Sequence, residues 1–261
     1  MYRERSTHAG SGVKPSNETN HPGDAVDKGF SLKGIPDAIW CRDHRGHSYS
    51  YREALERIRS FHGHVAPGLV IGLKMVDFAL RHLPEGVSFD AVCETTSCLP
   101  DALQMLTPCT VGNSWLKIHD LGKFALTLYD KSNGRGCRVF LDSGKLEAWP
   151  EFHAWFYKRK SKAEQDFDVL LEDIRRAGSD CLSSRPVDIL PAYRAARRKG
   201  RIATCSLCGE AFPQAHGDVC RGCQGQAPYV RPREEGVDDV GGKPPIRLTC
   251  HGSCVQGTSD R

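Results

Sequence analysis

The run from Pro67 to Leu80, Pro-Gly-Leu-Val-Ile-Gly-Leu-Lys-Met-Val-Asp-Phe-Ala-Leu, limits more than any other what this chain can become. Wound as a helix it is apolar on most faces, so it must be surrounded by other elements and forms the central buried helix of a domain. Pro67 suits its first turn, where the missing N–H costs nothing. Gly68 and Gly72 allow close backbone approach on one side, by a neighbouring strand or a second copy of the chain. The longer apolar stretch, Leu69 to Leu83, carries Lys74, Asp77 and Arg81. No apolar run reaches the ~20 residues that span a bilayer, so no membrane association is expected.

Ligand chemistry is gathered at both ends of the loops around this helix. His62 and His64 flank Gly63 just before it, and Cys93 and Cys98 follow it, with Asp101 three residues further on. In an extended segment, residues two apart point the same way and can share one metal. Imidazole suits zinc, iron or nickel, and a thiolate from Cys98 or Cys93 favours the softer of these. A cysteine near a helix start and a protonated imidazole can instead act as a nucleophile. Asp101 falls in the first turn of the helix that Cys98 opens, where it orients a histidine or simply favours the helix end. Against these readings stand the ordinary ones, hydrogen-bonded structural histidines and inert core thiols.

The remainder of the chain frames that centre. Residues 1–35 are rich in Gly, Ser, Asn, Pro and charge and read as a disordered arm. Regular structure is expected from about Ser48, with Ser50 and Glu53 as a capping box and Ala54, Leu55, Ile58 and Phe61 at helical spacing before Gly63. Strand-like runs cover Val87–Cys93, Trp115–Asp120, Phe124–Tyr129 and Gly136–Leu141, with a short helix at Leu99–Leu106 and an Asn133-Gly134 hairpin turn. Helical patterns then cover Glu151–Lys158, Lys162–Arg176 and Val187–Lys199. The fold class is α+β: helices packed on a mainly antiparallel sheet, followed by a small four-cysteine zinc-ribbon appendage. The expected divisions are an α+β core over 45–180, a basic helical linker over 181–203, the cysteine module over 204–227 and a disordered tail over 228–261.

Twelve cysteines is a high count for 261 residues. The opening Met-Tyr-Arg-Glu-Arg-Ser-Thr-His lacks the apolar segment of a signal peptide, so a cytoplasmic location with reduced thiols is expected. In that compartment grouped cysteines read as metal ligands before disulfides. Cys205-x-x-Cys208 and Cys220-x-x-Cys223, eleven residues apart, form two knuckles that can close a tetrahedral zinc site. Such a site folds a segment too short for its own core. Two redox dithiols would require a thioredoxin-like context, which is missing. Arg194, Arg197, Arg198, Lys199 and Arg201 make a basic patch beside the module. The net charge is only +4, so nucleic acid is an allowed partner but not a favoured one. Cys250, His251 and Cys254 in the tail also have ligand spacing.

From about Tyr51 to Asp142 the chain resembles the formylmethanofuran dehydrogenase E-subunit family. The resemblance rests on Phe61-His62-Gly63-His64, Pro67-Gly68, Glu94-Thr95 with Cys98, Asp101-Ala102, Leu106-Thr107 with Cys109-Thr110, Gly112, and Asp120-Leu121-Gly122-Lys123. The C-terminal four-cysteine segment is similar to the zinc finger that many members carry. The resemblance implies an α+β core forming an intertwined homodimer, with a His and Cys cleft able to hold a metal. It also implies association with molybdenum- or tungsten-dependent one-carbon redox chemistry and an oxidoreductase partner. One position departs: the family places Cys before Pro67, and this chain has Ala66. The role of that thiol then passes to Cys98, Cys93 or Cys109, or the site is a pocket without chemistry.

The expectation is therefore a metal-binding accessory protein or enzyme. A transition metal sits at His62, His64 and Cys98, and structural zinc at Cys205, Cys208, Cys220 and Cys223. Cys98, Asp101 and Lys123 are the candidate catalytic residues, although a strand-end lysine such as Lys123 is commonly just solvated. The alternative is a zinc-ribbon binding module that recruits nucleic acid or a protein.

Overall fold

The computed structural model describes residues 38–194 and 200–229, which fall into two units, one within Met1–Arg197 and one within Arg198–Arg261. The expected N-terminal arm, most of the C-terminal tail with Cys250, His251 and Cys254, and Arg197, Arg198 and Lys199 of the basic patch lie outside the described residues.

The first unit opens with an antiparallel pair, β1 (Ile39–Arg42) and β2 (Ser48–Ser50). Asp43 shapes the turn between them, its Oδ1 accepting from the amides of Arg45 and His47 at 2.8 and 3.0 Å. Regular structure thus begins earlier than the pattern predicts, because β1 is held by this local turn and not by periodicity. β2 runs straight into α1 (Tyr51–His62), which the Ser50–Glu53 capping box starts and Gly63, at φ 89°, ends. That left-handed geometry favours glycine.

α2 (Pro67–Leu80) is the buried helix anticipated from its composition. Leu69, Val70, Ile71, Leu73, Met75 and Val76 are each at most 1% exposed. At about 1.5–3 kcal/mol per fully buried side chain, these six anchor the core. Around α2 pack α1, β1, α3 (Leu99–Leu106), the central sheet and a later helix over Phe167–Ala177. The polar residues within α2 are satisfied rather than solvated. Lys74 donates to the Trp40 carbonyl and lies over the Trp40 ring. Asp77 accepts from the Arg42 amide at 3.0 Å and pairs with Arg81.

The sheet has five strands in the order β4-β3-β5-β6-β7, from β3 (Phe89–Cys93), β4 (Leu116–Ile118), β5 (Ala125–Asp130), β6 (Arg135–Leu141) and β7 (Leu182–Asp188). Only β3 and β4 pair in parallel, joined through α3; every other pairing is antiparallel. The fold is α+β, as expected. A helical turn at Ser143–Leu146, α4 (Pro150–Phe156) and α5 (Phe167–Ala177) connect β6 to β7.

Two expectations need correction here. The helix read over Val187–Lys199 is not formed among the described residues. Leu182–Asp188 is instead the outer strand β7, paired with β6 from Leu141↔Leu182 to Arg135↔Asp188, and only Pro191–Arg194 is a helical turn. The sheet therefore runs past residue 180, into what reads as a basic linker. Pro186 and the polar run Ser183-Ser184-Arg185 hide the strand in the sequence, but an outer strand tolerates both. The helix read over Lys162–Arg176 begins only at Phe167, where the Asp166 side chain caps it by accepting from Val169. The preceding lysines are left in a loop.

The second unit is a hairpin of β8 (Ile202–Thr204) and β9 (Ala211–Pro213), followed by short helical turns at Gln214–His216 and Gly222–Gln226. Among the described residues no single helix is long and apolar enough to cross a membrane.

Candidate functional site

In the second unit the β8–β9 hairpin presents the first knuckle. The Gly209 amide donates to Cys205 O and the Cys205 amide to Glu210 O, both at 2.9 Å, with Gly209 at φ 74°. The second knuckle brings its amides onto sulfur: Cys220 N–H donates to Cys205 Sγ, and Cys223 N–H to Cys220 Sγ, each at 3.4 Å. One ligand atom from each of Cys205, Cys208, Cys220 and Cys223 lies within 4.8 Å of the others. Sulfurs about 2.3 Å from a tetrahedral zinc stand about 3.8 Å apart. Cys208 Sγ and Cys220 Sγ are 3.8 Å apart.

The four sulfurs perturb one another. The Cys220 amide, helped by those of Cys208 and Leu207, outweighs burial and holds the Cys205 thiol down at about 6. The neighbouring sulfurs of Cys220 and Cys208 push the Cys223 thiol up to about 12. Four thiolates in this space would need a positive ion, and zinc would supply it. The residues fit structural zinc with no open position.

The core site is arranged differently. α1 ends at His62 and α2 begins at Pro67, so the loop between them holds His62 and His64 with ring centroids 4.8 Å apart. Asp101, in the first turn of α3, lies with Oδ2 3.0 Å from His62 Nδ1. Both side chains are about a third exposed, at 28% and 32%. A carboxylate on one ring nitrogen is the arrangement found for metal-bound imidazole.

Cys98 is the N-cap residue of α3, without a side-chain capping bond. Its backbone, at φ 56° and ψ −48°, lies outside the regions that L-residues favour. The thiol is packed against Gly68 in the first turn of α2: a Cβ there would be only 2.8 Å from Cys98 Sγ. The glycine that the sequence marks for close approach thus admits a sulfur and the start of α3. Burial and then the Asp101 carboxylate push the Cys98 thiol up. Ala66, at the position where the resemblance implies a thiol, is buried as the N-cap of α2 and makes no side-chain cap.

Among the described residues, only the four-cysteine group brings three or more His, Cys, Asp or Glu ligand atoms within 4.8 Å of one another. His62 and His64 are therefore adjacent, and His62 is joined to Asp101, but Cys98 does not close a three-ligand set with them. Cys93 and Cys109 are fully buried, each thiol pushed up to about 11, mainly by burial, and neither is open to a ligand. Lys123 is exposed, its amide donating to the Glu94 carbonyl at 3.2 Å. Glu94 is itself clamped by Arg138, with Nε–Oε1 at 2.6 Å and Nη2–Oε2 at 2.7 Å.

Cys98 instead faces a cavity of about 560 Å³ that also includes Trp155, Phe156, Lys158, Lys160 and Lys162. The sequence reading missed these residues, having placed the lysines at helix ends. The available signal was the basic run Lys158-Arg159-Lys160-Ser161-Lys162 directly after the aromatic run Trp155-Phe156-Tyr157.

A family model described as FmdE, molybdenum formylmethanofuran dehydrogenase operon, matches residues 61–190. A second, described as the FmdE treble clef zinc finger, matches residues 196–230. A solved structure from Syntrophus aciditrophicus, of a protein like FmdE of tungsten formylmethanofuran dehydrogenase, is 47% identical with a TM-score of 0.66, over 73% of this chain and 99% of that one. The chain belongs to the FmdE family. A relative from Archaeoglobus fulgidus, described as a probable S-adenosyl-L-methionine-binding protein, is 29% identical over 196 residues, or 66% of this chain. The chain spans about half of that relative, 52% of its length. The treble clef description sharpens the four-cysteine module: the hairpin carries one knuckle, and the other leads into a helical turn.

Proposed function

We propose that this FmdE-family protein is a cytoplasmic, homodimeric metal-binding accessory or enzyme of molybdenum- or tungsten-linked one-carbon redox metabolism. Its partner in this reading is an oxidoreductase of the kind that the family description names, a molybdenum formylmethanofuran dehydrogenase. A transition metal binds at His62 and His64, and Cys98 completes the set when the turn carrying it moves or a substrate group intervenes. Asp101 fixes the His62 ring, and Lys123 offers a cation to an anionic reactant. The observation that supports this most is the carboxylate–imidazole pair, Asp101 Oδ2 to His62 Nδ1 at 3.0 Å, with a second imidazole beside it. Such a pair fixes the direction of the ring before a metal arrives.

Elemental analysis of the purified protein tests the reading. Two metal ions per chain are expected in the wild type, and one zinc in His62→Ala and His64→Ala. One zinc per chain in all three proteins would overturn the proposal.

A further inference from the structure

The cavity at Cys98 has a lining that includes neither His62 nor His64. No carboxylate lines it among the described residues, while Lys158, Lys160 and Lys162 all do. Lys160 is neutralised by Glu151. Lys158 and Lys162 make no ion pair among the described residues, so two uncompensated charges belong to exposed residues that line the opening. Asp101, the acid nearest the thiol on α3, is engaged by His62. The walls are aromatic, from Trp155, Phe156 and Phe124, with Phe124 and Phe156 edge to face at 6.1 Å.

Backbone strain points to the same place independently. Three non-glycine residues among those described have positive φ: Cys98, Ser114 and Lys158. Two of them, the thiol and one of the unpaired lysines, line this cavity. An L-residue in this conformation costs about 1–2 kcal/mol, and such costs are tolerated where a side chain must be aimed. An aromatic slot with two unpaired ammonium groups at its rim selects a flat apolar body bearing a negative charge.

We infer that this cavity binds a small organic anion, a carboxylate or phosphate on a flat apolar body, and holds it over the Cys98 thiol. The charged end lies at Lys158 and Lys162 and the body between the aromatic walls. This inference assigns a ligand class to the Cys98 half of the proposed site and needs no metal at the histidines.

Paired alkylation at Cys98 tests it on the full-length protein. Iodoacetate and iodoacetamide react alike: sulfur displaces iodide from the CH2 carbon, a C–S bond forms, a C–I bond breaks and the thiol proton goes to solvent. The reagents differ mainly in the charge of the carboxylate. Labelling is read by mass spectrometry of the peptide that holds Cys98, with glutathione as the unstructured reference. The ratio of iodoacetate to iodoacetamide rates at Cys98 is expected to exceed that of glutathione by at least about fivefold, the factor for about 1 kcal/mol of attraction between the carboxylate and one ammonium about 4 Å away in water. In the Lys158→Gln/Lys162→Gln double variant, whose lysines are exposed, it returns to the glutathione value. A wild-type ratio equal to that of glutathione, a ratio unchanged in the double variant, or no labelling by either reagent overturns the inference. Carried out on His62→Ala as well, the assay separates the two readings, since a single zinc in every protein with the ratio intact would remove the metal proposal alone.

Discussion

The two cysteine-bearing regions of this protein solve opposite problems. In the finger, Cys205, Cys208, Cys220 and Cys223 converge to within 4.8 Å of one another because little else holds that segment together. Only Cys205 and Phe212 among its described hydrophobic residues are buried. In the core, α2 and the sheet supply the stability, so His62, His64, Asp101 and Cys98 are free to remain apart and partly open. A closed ligand set marks a site whose product is a fold, and an open one marks a site with room for something to arrive.

Removing a finger ligand gives the largest expected effect. Cys220→Ser releases the zinc and unfolds residues 200–229, because metal binding supplies about 10–16 kcal/mol to such modules near neutral pH. Zinc content and amide hydrogen exchange read the loss, while the melting transition of the core stays in place. A finger that keeps its protection without zinc would break the comparison. The converse experiment is Leu73→Ala in α2, where a fully buried side chain is truncated. It destabilises the core by about 2–5 kcal/mol in chemical denaturation and leaves zinc content unchanged.

Gly68→Ala is a more local probe. The new methyl lies 2.8 Å from Cys98 Sγ and 3.1 Å from Cys98 Cβ, so α3 must shift. Overpacking of this kind costs about 1–3 kcal/mol. Because the strain falls on the thiol, the rate of Cys98 alkylation changes too, which an equally destabilising substitution elsewhere in the core does not do. The smallest effect on stability belongs to His62→Ala, within about 1 kcal/mol, since its partner Asp101 stays solvent-accessible. If its loss costs as much as Leu73→Ala, the histidine is part of the framework and the contrast between regions fails.

How far these regions are legible in the sequence follows from the same contrast. The finger is fully written in two C-x-x-C spacings, because its ligands are local and its chemistry fixes its geometry. The apolar density of Pro67–Leu80 dictates α2, and the Ser50–Glu53 pair and Gly63 give both ends of α1. β7 is not legible, because an outer strand can carry Pro186 and a polar run without loss and so resembles a linker. The His62–Asp101 contact spans 39 residues, and no local pattern encodes it. The cavity is hidden for a similar reason: its lysines join Cys98 only once α5 starts at Phe167 instead of Lys162.

One turn of helix, Cys98 to Asp101, touches both halves of the proposed site. The residue that opens it turns its sulfur toward α2 and the aromatic cavity, and three positions later its carboxylate grips His62. An occupant at either side that favours one setting of this turn changes the affinity of the other side, and by reciprocity the coupling is equal in both directions. The chain has in this way placed the ends of a short lever at two addresses, with Gly68 as the surface on which it bears.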